Sequence, residues 1–233
     1  KPIVPKNANA ESEYAKEMEQ IPIKEVAPRL LDYKRDVETK VLTKHVTMYM
    51  KKNPVNNLFS FSLIYHKGTL CEPRLSALAS YLSDIGTDSL SKHKLGQAFQ
   101  QLGTTFETSA EKNSFSITLS GIDSNLVPSL QLLRNFMDNA KADKESMKTL
   151  AETYKVNNKS FVKDADDVAD AIIEKIAYGD KSVYINHISA RDIKKMKGEE
   201  LIELFKELPK NECSIVYCGQ RSTDDVENAV REY

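Results

Sequence analysis

The chain has 233 residues, 40% hydrophobic and 29% charged, with a formal net charge of −1 and a pI near 6.5. This length is enough for one large core or two small ones, and the balanced charge, with lysines and acids interleaved, leaves no basic field for nucleic acid or an anionic membrane. No apolar run approaches the roughly 18 residues of a membrane span, no basic-plus-apolar signal segment opens the chain, and three cysteines cannot build a disulfide framework.

Residues 1–34 differ in texture from the rest of the chain. Pro2, Pro5, Pro22 and Pro28 punctuate a polar stretch with one short helical run, Ser12 to Gln20, which predicts a linker or N-terminal extension joining something upstream. The start on Lys1 rather than Met fits a processed or excised piece. Residues 35–233 are expected to form one domain.

Within that domain the period is two from Asp36 to Tyr65. Val46, Met48 and Met50 alternate with Thr47 and Tyr49, and Phe59, Phe61, Leu63 and Tyr65 with Ser60 and Ser62. The segment Lys52 to Asn57 between them has turn chemistry. Leu75, Leu78, Ala79 and Leu82 then take helical spacing, Gly86-Thr87 breaks it, and Leu95, Ala98, Phe99 and Leu102 resume it.

Thr105 to Glu111 and Ser114 to Ser120 predict a hairpin with Phe115, Ile117 and Leu119 on one face. A helix bearing Leu126, Leu130, Leu133 and Met137 comes next. Asp143 to Gly179 reads as a long helical region broken near Asn157-Asn158, with Met147, Leu150, Ala151 and Tyr154 before the break and Val168, Ile172 and Ile176 after it. Gly179 is placed to cap its end. Ser189 caps a helix with Ile193 and Met196; Gly198 interrupts, and Leu201, Leu204, Phe205 and Leu208 continue to Pro209. Cys213 to Cys218 is a strand and a short helix closes the chain. The sum is an α+β layout, an antiparallel sheet with helices on one side.

The order and spacing of these elements over Asp36 to Gln220, with Gly86-Thr87, Ser120-Gly121-Ile122-Asp123, Tyr178-Gly179 and Tyr217 to Gly219 as the most specific marks, resembles a half of the pitrilysin/insulinase family of zinc peptidases, a fold shared with mitochondrial processing peptidase. Active members carry H-x-x-E-H on the helix before Gly-Thr, two histidines on zinc and a glutamate activating water. Counted back from Gly86-Thr87, those positions hold Ala77, Ser80 and Tyr81, which supply neither imidazole nor carboxylate. In the family a partner half contributes an Arg and a Tyr to the substrate carbonyl; aligned on Gly103, those positions hold Phe99 and Phe106.

Other chemistries find little support in the residues. His45, His66, His93 and His187 form no i, i+4 pair, so a zinc site would need convergence from separate elements. Asp164, Asp166, Asp167 and Asp170 lack the glycine and final glutamate of a calcium loop and suit a helix N-terminus. Glu145 and Glu152, where a distal glutamate ligand would be sought, have no imidazole companions. No G-x-S-x-G elbow or phosphate loop occurs. Cys213 and Cys218, five apart on a strand, face opposite ways and are read with Cys71 as unreactive thiols.

The expectation is therefore a non-catalytic domain that packs against a catalytic domain bearing H-x-x-E-H and walls a substrate chamber; a stand-alone scaffold module of the same fold is the alternative. By itself the chain is expected to be inactive, with no cofactor of its own and zinc only in the partner. The partners implied are a catalytic domain of the same polypeptide or a paired subunit, peptide substrate, and a homodimer through an uncovered apolar surface. Resemblance to bacterial multi-domain members favours an exported or periplasmic setting.

Overall fold

The computed structural model describes residues 11–23, 27–28 and 30–233 and separates into two compact units, 1–33 and 34–233. Of the linker marks, Pro2 and Pro5 lie outside the described residues. In the first unit the helix α1, Glu13–Glu19, starts where the Ser12 hydroxyl accepts from the Ala15 amide and buries none of its residues.

A short helix, α2 (Tyr33–Asp36), spans the boundary, and the strands β1 (Glu38–Thr43), β2 (Val46–Lys52) and β3 (Leu58–Tyr65) follow in the second unit. Helix α3 (Arg74–Leu82) leads through a two-residue strand β4 (Gly86–Thr87) to α4 (Lys92–Gln101) and the hairpin β5 (Thr104–Ala110) and β6 (Phe115–Ile122). Helix α5 (Leu126–Asn139) and a short β7 (Ala140–Lys141) precede α6 (Lys144–Phe161), α7 (Ala165–Tyr178) and α8 (Val183–Asn186). The remainder is α9 (Ala190–Lys195), α10 (Gly198–Glu207), β8 (Cys213–Gly219) and α11 (Thr223–Glu232).

Six strands form one sheet in the order β1-β2-β8-β3-β6-β5, and β4 pairs separately with β7. The α+β layout holds, with one refinement: β2 and β8 run parallel, so the sheet is mixed. Every other neighbouring pair is antiparallel.

Strand alternation sorts the two faces. One cross-strand row runs Met50, Tyr217, Phe61, Leu119, Phe106 and points inward. It joins Leu78, Leu82, Leu95, Phe99 and the α5 residues Leu126, Leu130 and Leu133 in a single core. The neighbouring row, Tyr49, Val216, Ser62, Thr118, Glu107, points the other way and is left partly or fully open, with the Ser62 and Thr118 hydroxyls 2.9 Å apart. The predicted core face thus carries its helices as expected.

Two local expectations change. Helix α6 runs straight through Asn157-Asn158 and stops at Val162, because its start is fixed by Asp143, whose carboxylate accepts from the Ser146 amide at 2.7 Å, and the next helix cannot begin until Asp164 caps the Asp166 and Asp167 amides. Gly86-Thr87 is a sheet segment rather than a bare turn: it pairs with Ala140-Lys141 and holds the α3–α4 corner on the end of α5. Gly179 caps α7 as predicted, at φ 58°, in the left-handed region glycine adopts without strain.

Candidate functional site

On α3 the three positions where the resemblance would place a zinc motif diverge. Ala77 and Tyr81 are fully buried and Ser80 is exposed on the opposite side of the helix. The Tyr81 hydroxyl donates to the Asp143 carbonyl at 3.1 Å and accepts from the Asp143 amide at 2.8 Å, clamping α3 to the start of α6 across 62 residues. Burial pushes this phenol above its ordinary pKa, which keeps the proton on and the donor role intact. Gly198, the first residue of α10, lies directly over it, and a Cβ there would collide with the hydroxyl. The side chain at 81 therefore fills a structural socket.

The outward face of α3 presents Ser76 and Ser80 instead. Ser76 Oγ donates to the Pro73 carbonyl at 2.9 Å and accepts from the Tyr154 hydroxyl of α6 at 3.1 Å. This contact was not legible in the sequence, since it joins two residues 78 apart that carry no motif. On the neighbouring strand, Thr108 Oγ1 donates to the Ala79 carbonyl at 2.7 Å, fixing β5 to the same helix.

Phe99 and Phe106 come together, with ring centroids 5.5 Å apart and an interplanar angle of 18°. The chain of rings continues through Phe136 to Phe205 at 5.5 and 5.7 Å. Phe106 lies on the helix-covered side of the sheet, so both positions contribute packing and neither offers a polar group to a ligand.

Glu145 and Glu152 are exposed, each in an i, i+3 ion pair, with Lys148 and Lys155. Of the four histidines, His45 and His66 flank Glu212 at one end of β2, β8 and β3, each Nδ1 4.0 Å from a carboxylate oxygen, beyond hydrogen-bond reach. Among the described residues, no three His, Cys, Asp or Glu side chains are grouped to hold a metal ion. Of the four aspartates, Asp164 caps α7, Asp166 and Asp167 lie in its first turn, and Asp170 lies further along it. Cys213 is buried and Cys218 half-buried on opposite sheet faces, while Cys71 is exposed.

The remaining marked residues converge on one knot. Tyr217, near the end of β8, donates to Asp123, just beyond β6, and the same carboxylate oxygen accepts from the Gln220 amide at 2.8 Å. Ser120-Gly121-Ile122-Asp123 and Tyr217 to Gly219 are thus two sides of one structural lock. No helix among the described residues is long and apolar enough to cross a membrane.

No protein-family model and no curated protein sequence matches the chain. Solved structures do. A peptidase M16 inactive domain from Pseudomonas fluorescens superposes with a TM-score of 0.71 at 16% identity, over 84% of this chain and 50% of that one. The periplasmic protease PqqL from Escherichia coli gives 0.69 at 14% identity over 97% of this chain and 28% of its own length, and a protease from Helicobacter pylori gives 0.69 at 12% over 84% and 49%. The chain therefore spans half or less of each of these, and the likeness establishes its fold as that of the M16, pitrilysin/insulinase-type, peptidase domain.

Proposed function

We propose that this chain, folded as an M16-type domain, is a non-catalytic unit of a zinc peptidase assembly that packs against a catalytic domain and walls its substrate chamber. The observation that carries the reading is the socket of Tyr81: where the resemblance places a zinc histidine, a phenol is buried, hydrogen-bonded at both lone pair and proton, and covered by Gly198. Ala77 is closed into the same core. With no ligand set on this helix, any zinc and its water-activating glutamate belong to the partner.

The open sheet face, rich in serine and threonine, suits the chamber wall, because neutral hydroxyls can meet a passing peptide without binding it tightly. Residues 1–34 act as the linker to a preceding domain, and an exported or periplasmic setting agrees with PqqL, described as a periplasmic protease.

The test is reconstitution. The chain is purified alone and together with the H-x-x-E-H protein encoded nearest to it, or in the same reading frame, and each sample is assayed on an unstructured peptide. Cleavage that requires both supports the proposal. Chelator-sensitive cleavage by the chain alone overturns it, and failure of the two to associate moves the chain to the stand-alone scaffold reading.

A further inference from the structure

Between the core face of the sheet and the helices α5, α10 and α11 lies a cavity of about 460 Å³, within the roughly 300 to 1,000 Å³ of a pocket that encloses one small molecule. Leu63 lines its sheet side. In the cross-strand row Met48, Ile215, Leu63, Ile117 the two neighbours of Leu63 are 3% and 0% exposed, yet Leu63 itself is only half-buried. The hollow therefore opens over the middle of the sheet, where close packing is the rule.

Most of the wall is apolar, with Phe61, Leu130, Leu133, Met137 and Phe205 around Leu63. Two polar groups interrupt it without partners of their own. Tyr65, two residues further along β3, is 4% exposed, and its hydroxyl makes no hydrogen bond among the described residues. No side-chain oxygen or nitrogen among the described residues is both sealed from solvent and unbonded, so this hydroxyl reaches open space, and the cavity is the space that Tyr65 lines. Burial raises the pKa of the phenol, which keeps its proton on and leaves it a donor. The charged residues of the lining are Arg134, Asp138 and Lys206. Arg134 is answered by Asp138 at 2.6 Å, whereas the exposed Lys206 has no ion pair or hydrogen bond among the described residues, so the lining keeps one positive charge in excess. One unopposed cation beside apolar walls matches a single carboxylate on an apolar body.

From these observations we infer that the cavity binds one small amphiphilic carboxylate, its aromatic or alkyl body against Phe61, Leu63, Met137 and Phe205 and its head group met by the Tyr65 hydroxyl and the Lys206 ammonium. Such a ligand fills the gap over Leu63 and gives the buried phenol the acceptor it lacks. A cationic ligand meets repulsion from Lys206, and a wholly apolar one leaves the Tyr65 hydroxyl unpaired. The inference is independent of the peptidase reading, since the cavity lies on the helix-covered face of the sheet and the proposed chamber wall is the other face.

The test is an NMR titration of the chain, ¹³C-labelled at its methionine methyls, with 2-naphthoate and octanoate as the aromatic and alkyl forms of the ligand and 2-naphthylmethylammonium as the oppositely charged comparison. At least one of the carboxylates should shift the Met137 methyl saturably, at one equivalent per chain, and the ammonium should bind about tenfold or more weakly. Tyr65→Phe and Lys206→Gln should each weaken the bound carboxylate about fivefold or more. Tyr65→Phe removes a hydroxyl that bonds nothing in the free chain, so its melting temperature should equal or exceed that of the parent, which separates a lost ligand contact from a lost fold. Lys206 is exposed, and its substitution leaves the core untouched. No saturable shift with either carboxylate at millimolar concentration, an ammonium bound as tightly as the carboxylates, or undiminished binding by either variant would overturn the inference.

Discussion

The Tyr217 hydroxyl donates to the Asp123 carboxylate at 2.5 Å, tying the exit of β8 to the exit of β6 across 94 residues. Arg221 closes the knot, its amide donating to the Tyr217 hydroxyl at 3.0 Å and its guanidinium lying 3.7 Å from the second Asp123 oxygen. Burial and the neighbouring carboxylate both raise the pKa of the phenol, so it remains a donor. Tyr217→Phe should cost about 1.5 to 3 kcal/mol, the range for a hydrogen bond to a charged group, read by urea denaturation. Gly219→Ala should also destabilise, because a Cβ there would strike both partners. A loss below about 0.5 kcal/mol in Tyr217→Phe would show that the lock is not a stabilising element.

Installing the motif should not install the metal site. In the triple variant Ala77→His, Ser80→Glu, Tyr81→His, two of the new side chains must enter a filled core, and the bonds to Asp143 are lost. Overpacking alone costs about 1 to 3 kcal/mol. The variant should melt lower than the parent and bind less than one equivalent of zinc by elemental analysis. A folded variant with stoichiometric zinc would mean that the helix can turn its 77–81 face outward.

A contrast between two isoleucines separates fold from association. Ile117→Ala, in the centre of β6, should cost about 2 to 5 kcal/mol. Ile176→Ser should change stability by no more than about 0.5 kcal/mol, since Ile172, Ile173 and Ile176 are 55%, 64% and 81% exposed on α7, a helix that buries none of its residues. If that stripe drives self-association, sedimentation velocity should show a concentration-dependent shift in the parent that Ile176→Ser reduces. A strict monomer at high concentration would remove the homodimer from consideration.

Thiol chemistry gives a third kind of readout. Burial pushes the Cys213 thiol up to about 11, so at pH 8 on the order of one molecule in a thousand carries the thiolate there. With an aromatic disulfide reagent at pH 8, the exposed Cys71 should react first and Cys213 only on unfolding. Three equally fast thiols would contradict the packing of β8.

The sheet was legible because a period of two over Phe59 to Tyr65 and Phe115 to Leu119 admits one buried face, and the caps Asp164 and Ser189 were legible because a short polar side chain before an apolar series has one use. The parallel pairing of β2 with β8 was not, since Val46 and Cys213 meet from far apart in sequence and strand direction leaves no trace in alternation. The break expected at Asn157-Asn158 failed for a related reason: asparagine weakens a helix by only tenths of a kcal/mol relative to its neighbours, less than the cap at Asp143 and the packing of Leu150 contribute. The stripe on α7 shows the limit of periodicity, which identifies an apolar face but not whether anything covers it. At the site, the identities of Ala77, Ser80 and Tyr81 could be read directly; the Tyr81 clamp and the Ser76–Tyr154 contact depend on α6 lying beside α3.

The place of β8 in the sheet has a consequence for biosynthesis. It lies between β2 and β3 and is the strand that pairs with both sides, so the hairpin of β1 and β2 and the three-stranded piece β3-β6-β5 have no common ladder until residues 213–219 are in place. A nascent chain that has emerged only as far as α10 therefore holds two unjoined half-sheets with bare edges, the kind of edge that invites pairing with a neighbouring chain. Completion of the domain waits until β8 has left the ribosome, and translation pauses or truncations before Cys213 should yield aggregation rather than a smaller folded product.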